Sequence, residues 1–322
     1  MGLGAPRMDE REECMSKVAF CFPGQGSLEV GMGREIAEAH PEAMEVYRVG
    51  SEATGMDLAR LCFEGPLEEL VETEVQQPTL VATSLAILAA VRKEGIEPDV
   101  VVGHSVGEYS ALASVGAMGT REAIGLVRER GLAMAEAAKQ RPGAMAAILG
   151  LEDQLVETLC RRILNVWPAN YNCPGQIVVS GENDAVEECC AEAESLGARR
   201  AIRLKVSGAF HSPLVGKARQ QLKPAVDRIR FADPVTPFMS TVTARIEPAQ
   251  RLASLLLDQL TEPVRFTQAA GELVKGGVTT FVEIGPGNVL SGLVKRIDRS
   301  VRTVSVNDLA SLEKLKESLA AR

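Results

Sequence analysis

The chain has 322 residues, of which 46% are hydrophobic and 4% aromatic, and its formal net charge is −8 at pH 7. This length predicts one large domain with an insertion or two domains, and the 29 glycines and few aromatic residues are typical of an α/β protein packed with aliphatic side chains. The negative charge argues against nucleic acid as the main partner, since phosphate neutralisation needs clustered Lys and Arg, and the absence of 18 consecutive apolar residues argues against a membrane span.

The first third of the chain predicts a strand, a glycine loop and several helices before a second strand. Residues 1–16 are charged and lack the apolar stretch of a signal peptide, so we expect a disordered extension there. Residues 17–22 predict a short strand that runs into the loop 23–27, PGQGS, whose glycines allow the backbone to approach another group closely. Helical patterns run to about residue 93, and a strand over 99–102 then enters residues 103–107, GHSVG, before a further helix.

The order of predicted elements changes after about residue 139. Strands are predicted over 143–149, 166–171, 176–180 and 200–206, with helices over 152–162 and 184–196. This βαββαβ order is that of a ferredoxin-like unit. Strands over 279–284 and 302–306, alternating with helices, predict a mostly parallel sheet in the rest of the chain. We therefore predict a large α/β domain from 17–140 and 207–322 and an inserted ferredoxin-like subdomain over 141–206.

The cysteines indicate neither a disulfide framework nor a metal site. They are seven in number, lie scattered at positions 14, 21, 62, 160, 173, 189 and 190, and show no C-x-x-C spacing. We expect reduced thiols in a cytoplasmic protein, with no bound metal.

Residues 103–107 match G-x-S-x-G, the nucleophile-elbow pattern of α/β-hydrolase-like domains. Glycines on both sides of Ser105 relieve crowding in a tight strand-to-helix turn, so the serine hydroxyl projects above the edge of the sheet. The amides at the start of the following helix favour an oxyanion at the same place. The pattern also occurs as a plain turn, but its strand and helix flanks favour a serine nucleophile.

A neutral serine needs a base, and the chain contains three histidines. His40 precedes Pro41 at a helix end, where a solvated or capping histidine is expected. His104 adjoins Ser105 on a sharp turn, and we expect its side chain to point elsewhere. His211, within residues 208–213, GAFHSP, is therefore the predicted base. Since no acidic residue is singled out by its spacing, a serine-histidine dyad is predicted, with the histidine oriented by a backbone carbonyl.

Six segments in this order resemble the malonyl-CoA:acyl-carrier-protein transacylases over about residues 17–310. They are 22–27 (FPGQGS), 75–78 (VQQP), 103–108 (GHSVGE), 130–131 (RG), 170–176 (NYNCPGQ) and 208–213 (GAFHSP). The resemblance implies that the chain moves a malonyl group from malonyl-CoA to the phosphopantetheine thiol of an acyl-carrier protein in fatty-acid synthesis. It implies no cofactor, and we expect a monomer.

The resemblance also implies a role for individual residues. Ser105 is the implied acylated nucleophile and His211 the general base and acid, while the backbone N–H groups of Gln25 and Val106 form the implied oxyanion hole. Arg130 is implied to bind the malonyl carboxylate, a task that suits a planar guanidinium. The other implied pocket residues are Gln77, Phe210, Asn170 and Asn172, and the loop 262–265 is implied to supply the carbonyl to the histidine.

Several alternatives remain open for these residues and for the chain as a whole. Arg130 could be a surface arginine of a helix, and the Asn-x-Asn pair could be turn residues that bond their own backbone. Phe210 is expected to disfavour a methylmalonyl group, although one methyl group is worth only about 1 to 3 kcal/mol. A serine esterase or thioesterase, a non-catalytic scaffold, and a malonyl transferase acting in trans for a polyketide synthase are the competing functions.

Overall fold

The computed structural model describes residues 16–206 and 208–320, so nearly all of the extension predicted over 1–16 lies outside the described residues. The strands of the described part are β1 Lys17–Phe22, β2 Val100–Gly103, β3 Ala144–Leu149, β4 Val166–Cys173, β5 Gln176–Gly181, β6 Arg200–Arg203, β7 Phe238–Ser240, β8 Arg245–Ile246, β9 Val278–Ile284 and β10 Arg302–Val306. They form two sheets.

Helices surround both sheets. They are α1 Arg34–Ala39, α2 Pro41–Thr54, α3 Leu58–Glu64, α4 Leu67–Leu70, α5 Thr73–Lys93, α6 Gly107–Ser114, α7 Thr120–Gln140, α8 Asp153–Arg162, α9 Asn183–Ser195, α10 Gly216–Val226, α11 Ala249–Asp258, α12 Phe266–Lys275, α13 Val289–Ile297 and α14 Leu309–Ala320, with a 3₁₀ turn at Pro213–Val215. In the described part of the chain, no helix is both long and apolar enough to cross a membrane.

The larger sheet has six strands in the order β10-β9-β1-β2-β7-β8. Its neighbouring strands pair in parallel except β7 and β8, which are antiparallel. The central strand β1 is buried at every residue but its first, as expected for a parallel strand covered by helices on both faces. The predicted α/β fold with a mostly parallel sheet is therefore confirmed. The short strands β7 and β8 were not predicted, because two or three residues carry too little of a period-2 pattern to be recognised.

The smaller sheet has the order β4-β5-β3-β6 and is antiparallel throughout. Helices α8 and α9 pack on it around apolar side chains that include Ile148, Val179 and Val186. This arrangement is the predicted ferredoxin-like βαββαβ unit. Strand β6 ends at Arg203 rather than at residue 206, because its pairing with β3 ends at Arg203 and the next residue adds one bond only, from Leu204 N to Met145 O at 2.9 Å. The division into domains at residues 140 and 207 stays a prediction.

The two sheets meet above the carboxyl ends of β1 and β2. Phe22 and Gly103 are paired neighbours at these ends, so the loop 23–27 and the turn 103–107 leave the sheet side by side. A parallel bridge joins the small sheet to the larger body, with Tyr171 N donating to Val264 O at 2.8 Å and Val264 N donating to Ala169 O at 2.9 Å. The switch between neighbouring strands at this edge is where open α/β sheets bind their ligands.

Candidate active site

The turn between β2 and α6 has no room for larger residues on either side of Ser105. A Cβ at Gly103 would overlap the backbone of Gly107, and a Cβ at Gly107 would overlap the carbonyl of Phe22. Ser105 itself has φ 51°, in the left-handed region that residues with side chains rarely adopt. The tightness of the turn itself therefore explains Gly103, and close packing of the end of β1 against the turn explains Gly107.

Ser105 and His211 form a hydrogen-bonded pair although 106 residues separate them in the chain. The Ser105 Oγ lies 2.8 Å from His211 Nε2, and His211 Nδ1 lies 2.7 Å from the main-chain oxygen of Gln259. Since a carbonyl oxygen only accepts, Nδ1 carries the proton, and Nε2 is left to accept from the serine hydroxyl. The accepting carbonyl at this distance belongs to Gln259, and the backbone of Glu262, in the loop 262–265 where the resemblance placed the carbonyl, also acts on the imidazole.

Burial controls the protonation state of His211. Removal from water lowers the pKa of its imidazole to about 3, and the nearby positive charge of Arg130 acts in the same direction. The backbone oxygens of Gln259 and Glu262 raise this pKa, but by less. His211 is therefore neutral at ordinary pH, which is the form that can accept a proton from Ser105.

Arg130 is fully buried, so the alternative of a surface arginine is wrong. It lies on α7, which comes close to α5 because the next residue is a glycine: a Cβ at Gly131 would lie 2.8 Å from the Cα of Glu74. The guanidinium donates to Gln77 Oε1 at 2.7 Å, to Gln259 Oε1 at 3.0 Å and to Ser105 Oγ at 3.1 Å.

No carboxylate in the described part of the chain forms an ion pair with Arg130, whose hydrogen bonds go to uncharged oxygens. Burial lowers the pKa of this guanidinium, yet an arginine stays protonated in proteins. A buried charge without a partner is costly, and an anionic ligand would lower that cost. The position beside Ser105 therefore suits an acyl group that carries its own carboxylate.

Gln259 and Glu108, to which the sequence analysis assigned no role, are linked by hydrogen bonds to the backbone of Ser105. Gln259 Nε2 donates to the main-chain oxygen of Ser105 at 3.0 Å and to Glu108 Oε2. Glu108 is fully buried, and desolvation raises the pKa of its carboxyl to about 7 although four hydrogen bonds oppose this shift. Glu108 follows Ser105 by one helical turn, which is a weak signal, and Gln259 gave no signal in the sequence.

The site opens into a cavity of about 100 Å³ at Ser105. Its walls combine polar residues of the larger body with apolar side chains of the small sheet and its flanks: Gln25, His104, Ser105, Met145, Asn170, Leu204, Val206, Phe210 and His211. The predicted pocket residues Asn170 and Phe210 are thus at the cavity, whereas Gln77 lies behind Arg130. Their roles toward a substrate stay predictions.

Asn172 and His104 pair with each other on the far side of Gln25. His104 Nε2 lies 2.9 Å from Asn172 Oδ1, and both residues line a second cavity of about 100 Å³. The imidazole of His104 therefore bonds Asn172 rather than the hydroxyl of Ser105, although His104 lines both cavities. The asparagine side chain bonds a histidine rather than its own turn.

Gln25 lines the cavity at Ser105, and Val106 is the residue that follows Ser105. Across residues 16–206 and 208–320, the backbone N–H of neither residue has a hydrogen-bond partner. The loop that carries Gln25 touches the turn, since a Cβ at Gly24 would lie 2.6 Å from the carbonyl oxygen of His104. Two free donors beside a serine hydroxyl suit an oxyanion. The described residues contain no cluster of three or more His, Cys, Asp or Glu that could hold a metal ion.

Comparison with known proteins gives one consistent result. Residues 19–318 match the acyl transferase domain family. The chain is 44% identical to the malonyl CoA-acyl carrier protein transacylase of Bacillus subtilis over 304 residues, which is 93% of this chain and 96% of that protein. It is 38% identical to the protein of the same name from Haemophilus influenzae, over 95% of this chain and 100% of the relative.

Solved structures of similar proteins share the fold over almost the whole chain. An acyl carrier protein S-malonyltransferase from Vibrio cholerae superposes with a TM-score of 0.90 at 39% identity and covers 93% of this chain and 100% of its own. A malonyl-transacylase in complex with the holo acyl-carrier protein of a type II polyketide synthase has a TM-score of 0.91 at 39% identity, over 94% of this chain and 100% of its own.

Proposed function

The chain belongs to the acyl transferase domain family, and from this premise we propose that it moves a malonyl group from malonyl-CoA to the thiol of an acyl-carrier protein through a malonyl ester of Ser105. The observation that carries the proposal is the buried guanidinium of Arg130, which lies 3.1 Å from the serine oxygen and has no carboxylate partner among the described residues. An esterase for uncharged acyl groups has no use for such a cation.

The first half of the reaction acylates the serine. His211 Nε2 takes the proton of Ser105 Oγ as this oxygen attacks the thioester carbon of malonyl-CoA. The N–H groups of Gln25 and Val106 bind the oxygen that becomes negative. When the tetrahedral intermediate collapses, the C–S bond breaks and the protonated His211 returns the proton to the leaving CoA sulfur.

The second half runs the same steps with another thiol. The phosphopantetheine thiol of the carrier protein gives its proton to His211, its sulfur attacks the ester carbon, and Ser105 leaves with the proton from the imidazole. Arg130 holds the free carboxylate of the acyl group throughout. The apolar cavity walls formed by Met145 and Leu204 favour the bound thiol over water as the attacking group.

The carrier protein that accepts the malonyl group defines the pathway. We propose the carrier of fatty-acid synthesis as the partner. The structural similarity to a transacylase bound to a polyketide carrier protein supports a second candidate, the same transfer in trans to a polyketide synthase. Transfer from the malonyl enzyme to each of the two holo carriers, compared as kcat/KM, separates these candidates.

Intact-protein mass spectrometry after mixing with malonyl-CoA or acetyl-CoA tests the central proposal. The wild type is expected to gain a malonyl group and Ser105→Ala to gain none. Ser110→Ala is the matched control, because Ser110 lies on α6, the helix that follows Ser105. Its buried hydroxyl has no hydrogen-bond partner among the described residues. Equal acylation by acetyl-CoA and malonyl-CoA would contradict the role given to Arg130.

A further inference from the structure

Glu108 is a buried carboxylate for which the proposed reaction has no use. It lies on α6 and is fully enclosed. Its Oε1 accepts from Thr241 N at 2.5 Å and from Thr241 Oγ1 at 2.8 Å, and its Oε2 accepts from Gln259 Nε2. In the described part of the chain, no arginine, lysine or histidine forms an ion pair with it. Retaining an unpaired buried carboxylate is costly, so a neutral residue would serve better if only packing mattered.

Gln259 connects this carboxylate to every reactive group of the site. Its side-chain oxygen accepts from Arg130 Nη2 at 3.0 Å, and its side-chain nitrogen donates to the main-chain oxygen of Ser105 at 3.0 Å as well as to Glu108. Its main-chain oxygen accepts from His211 Nδ1 at 2.7 Å. The two ends of a glutamine amide have almost the same shape but opposite hydrogen-bonding character. The direction in which the amide points therefore matters for Arg130.

We propose that Glu108 is a positioning residue that fixes the direction of the Gln259 side-chain amide, so that the amide oxygen faces Arg130 and aims the guanidinium at the carboxylate of the acyl group. Both oxygens of Glu108 accept hydrogen bonds in the structure, and so the side chain binds the nitrogen end of the amide. The oxygen end then turns to Arg130, which can only donate. Glu108, Gln259 and Arg130 thus form a chain in which each donor meets an acceptor. This inference rests on the proposed function of Arg130.

The substitution Glu108→Gln tests the proposal because it keeps the shape of the side chain. It replaces one carboxylate oxygen, an acceptor, with an NH₂ group, a donor. Thr241 N can only donate, so the new amide must keep its oxygen toward Thr241 and present its nitrogen to Gln259. Both orientations of the Gln259 amide are then unfavourable. In the present orientation, the Gln259 nitrogen faces the new nitrogen at position 108, and both are donors. In the reversed orientation, the Gln259 nitrogen faces the donor Arg130, and its oxygen faces the main-chain oxygen of Ser105.

The expected result of Glu108→Gln is a fall in kcat/KM for malonyl-CoA of about tenfold or more, as for the loss of one or two buried hydrogen bonds. The rate of acetyl transfer to Ser105 should change by less than about threefold, because an acetyl group has no carboxylate for Arg130 to bind. Glu283→Gln is the matched control, since Glu283 is a buried carboxylate that accepts from Leu290 N at 2.9 Å and Ser291 N at 2.8 Å, outside the site. It should keep the malonyl-to-acetyl ratio of the wild type.

A purely structural role for Glu108 would lower malonyl and acetyl transfer together, and that result would overturn the proposal. A malonyl-to-acetyl ratio that stays within about twofold of the ratio in Glu283→Gln would also overturn it. If the wild type itself forms no malonyl ester at Ser105, the proposed function fails, and this outcome is distinct because it appears before any variant is compared.

Two further variants keep the test decisive if Glu108→Gln folds poorly. Gln259→Met removes the amide but keeps the main-chain oxygen for His211, and it should lower the malonyl-to-acetyl ratio as much as Glu108→Gln does. Adding Glu108→Gln to Gln259→Met should change the malonyl-to-acetyl ratio by no more than about twofold, because the amide that Glu108 orients is already absent. A further loss as large as that of Glu108→Gln alone would contradict the proposal.

Discussion

The two walls of the cavity at Ser105 are built in different ways. On the side of the larger sheet, His211 lines the cavity and Arg130 and Glu108 lie fully buried nearby, and each is held by hydrogen bonds of defined direction. On the side of the small sheet, Met145 and Leu204 contribute apolar surface that has no preferred direction. Directed bonds in a medium of low dielectric tolerate little change, whereas apolar packing adapts to substitutions of similar volume. We therefore expect the polar side to determine the chemistry and the apolar side to determine the access of the substrate.

Two arginines show the same contrast. Arg130 is buried without a carboxylate partner in the described part of the chain, while Arg203, on the edge strand β6, pairs with Glu187 at 2.7 Å and is half exposed. An exposed pair is worth about 0 to 1 kcal/mol, because water and salt screen it. We therefore expect the buried arginine to have the larger effect on function, because its charge is shielded from water.

The substitution His211→Gln should cause the largest effect, because His211 Nε2 is the only nitrogen among the described residues that can accept a proton from the Ser105 hydroxyl. We expect the rate of malonyl transfer to Ser105 to fall by about 10²- to 10⁴-fold, the range for loss of general acid-base catalysis. Rapid-quench mass spectrometry measures this rate. His40→Gln, at the junction of α1 and α2, is the control and should keep the full rate. Acylation at an unchanged rate would show that His211 is not the base.

The pH dependence of stability tests the burial of the polar wall. The pKa of His211 is about 3 in the folded protein, and the pKa of a histidine in an unfolded chain is about 6.5. Below pH of about 6.5 the unfolded chain binds a proton that the buried imidazole does not. The free energy of unfolding of the wild type should therefore fall, relative to His211→Gln, by up to about 1.4 kcal/mol per pH unit between about pH 6 and pH 4. Urea unfolding of both proteins at several pH values measures these free energies. A difference between the two proteins that does not change with pH would contradict the burial of His211.

Truncation of the apolar wall should have the smallest effect. Leu204→Ala removes part of this wall, so we expect KM for malonyl-CoA to rise a few-fold while kcat stays within about twofold. The free energy of unfolding should fall by about 1 to 2 kcal/mol, because the Leu204 side chain is half-buried. The matched control is Ile202→Ala on the neighbouring strand β6, where the side chain is 42% exposed. Steady-state kinetics compares the two variants. A loss of kcat of more than about tenfold in Leu204→Ala would show that this wall also carries chemistry.

Much of the fold was predictable because its elements are marked locally. The strand over Lys17–Phe22 has its predicted bounds, since a continuous apolar run ends at a proline-glycine pair. The βαββαβ order was also predicted from alternating patterns of ordinary length. The short strands at Phe238–Ser240 and Arg245–Ile246 were missed, because pairing with a neighbouring strand rather than a local pattern defines them.

The sequence by itself predicted Ser105 as the nucleophile through the glycines around it and His211 as its partner through the scarcity of histidine, and the two side chains lie 2.8 Å apart. Tertiary structure alone decided how these residues are held. The bond from Arg130 to Gln259 spans 129 positions and the bond from Gln259 to Glu108 spans 151. Such bonds form because the parallel sheet brings distant segments to one edge, and no local pattern of residues records which side chains will meet there.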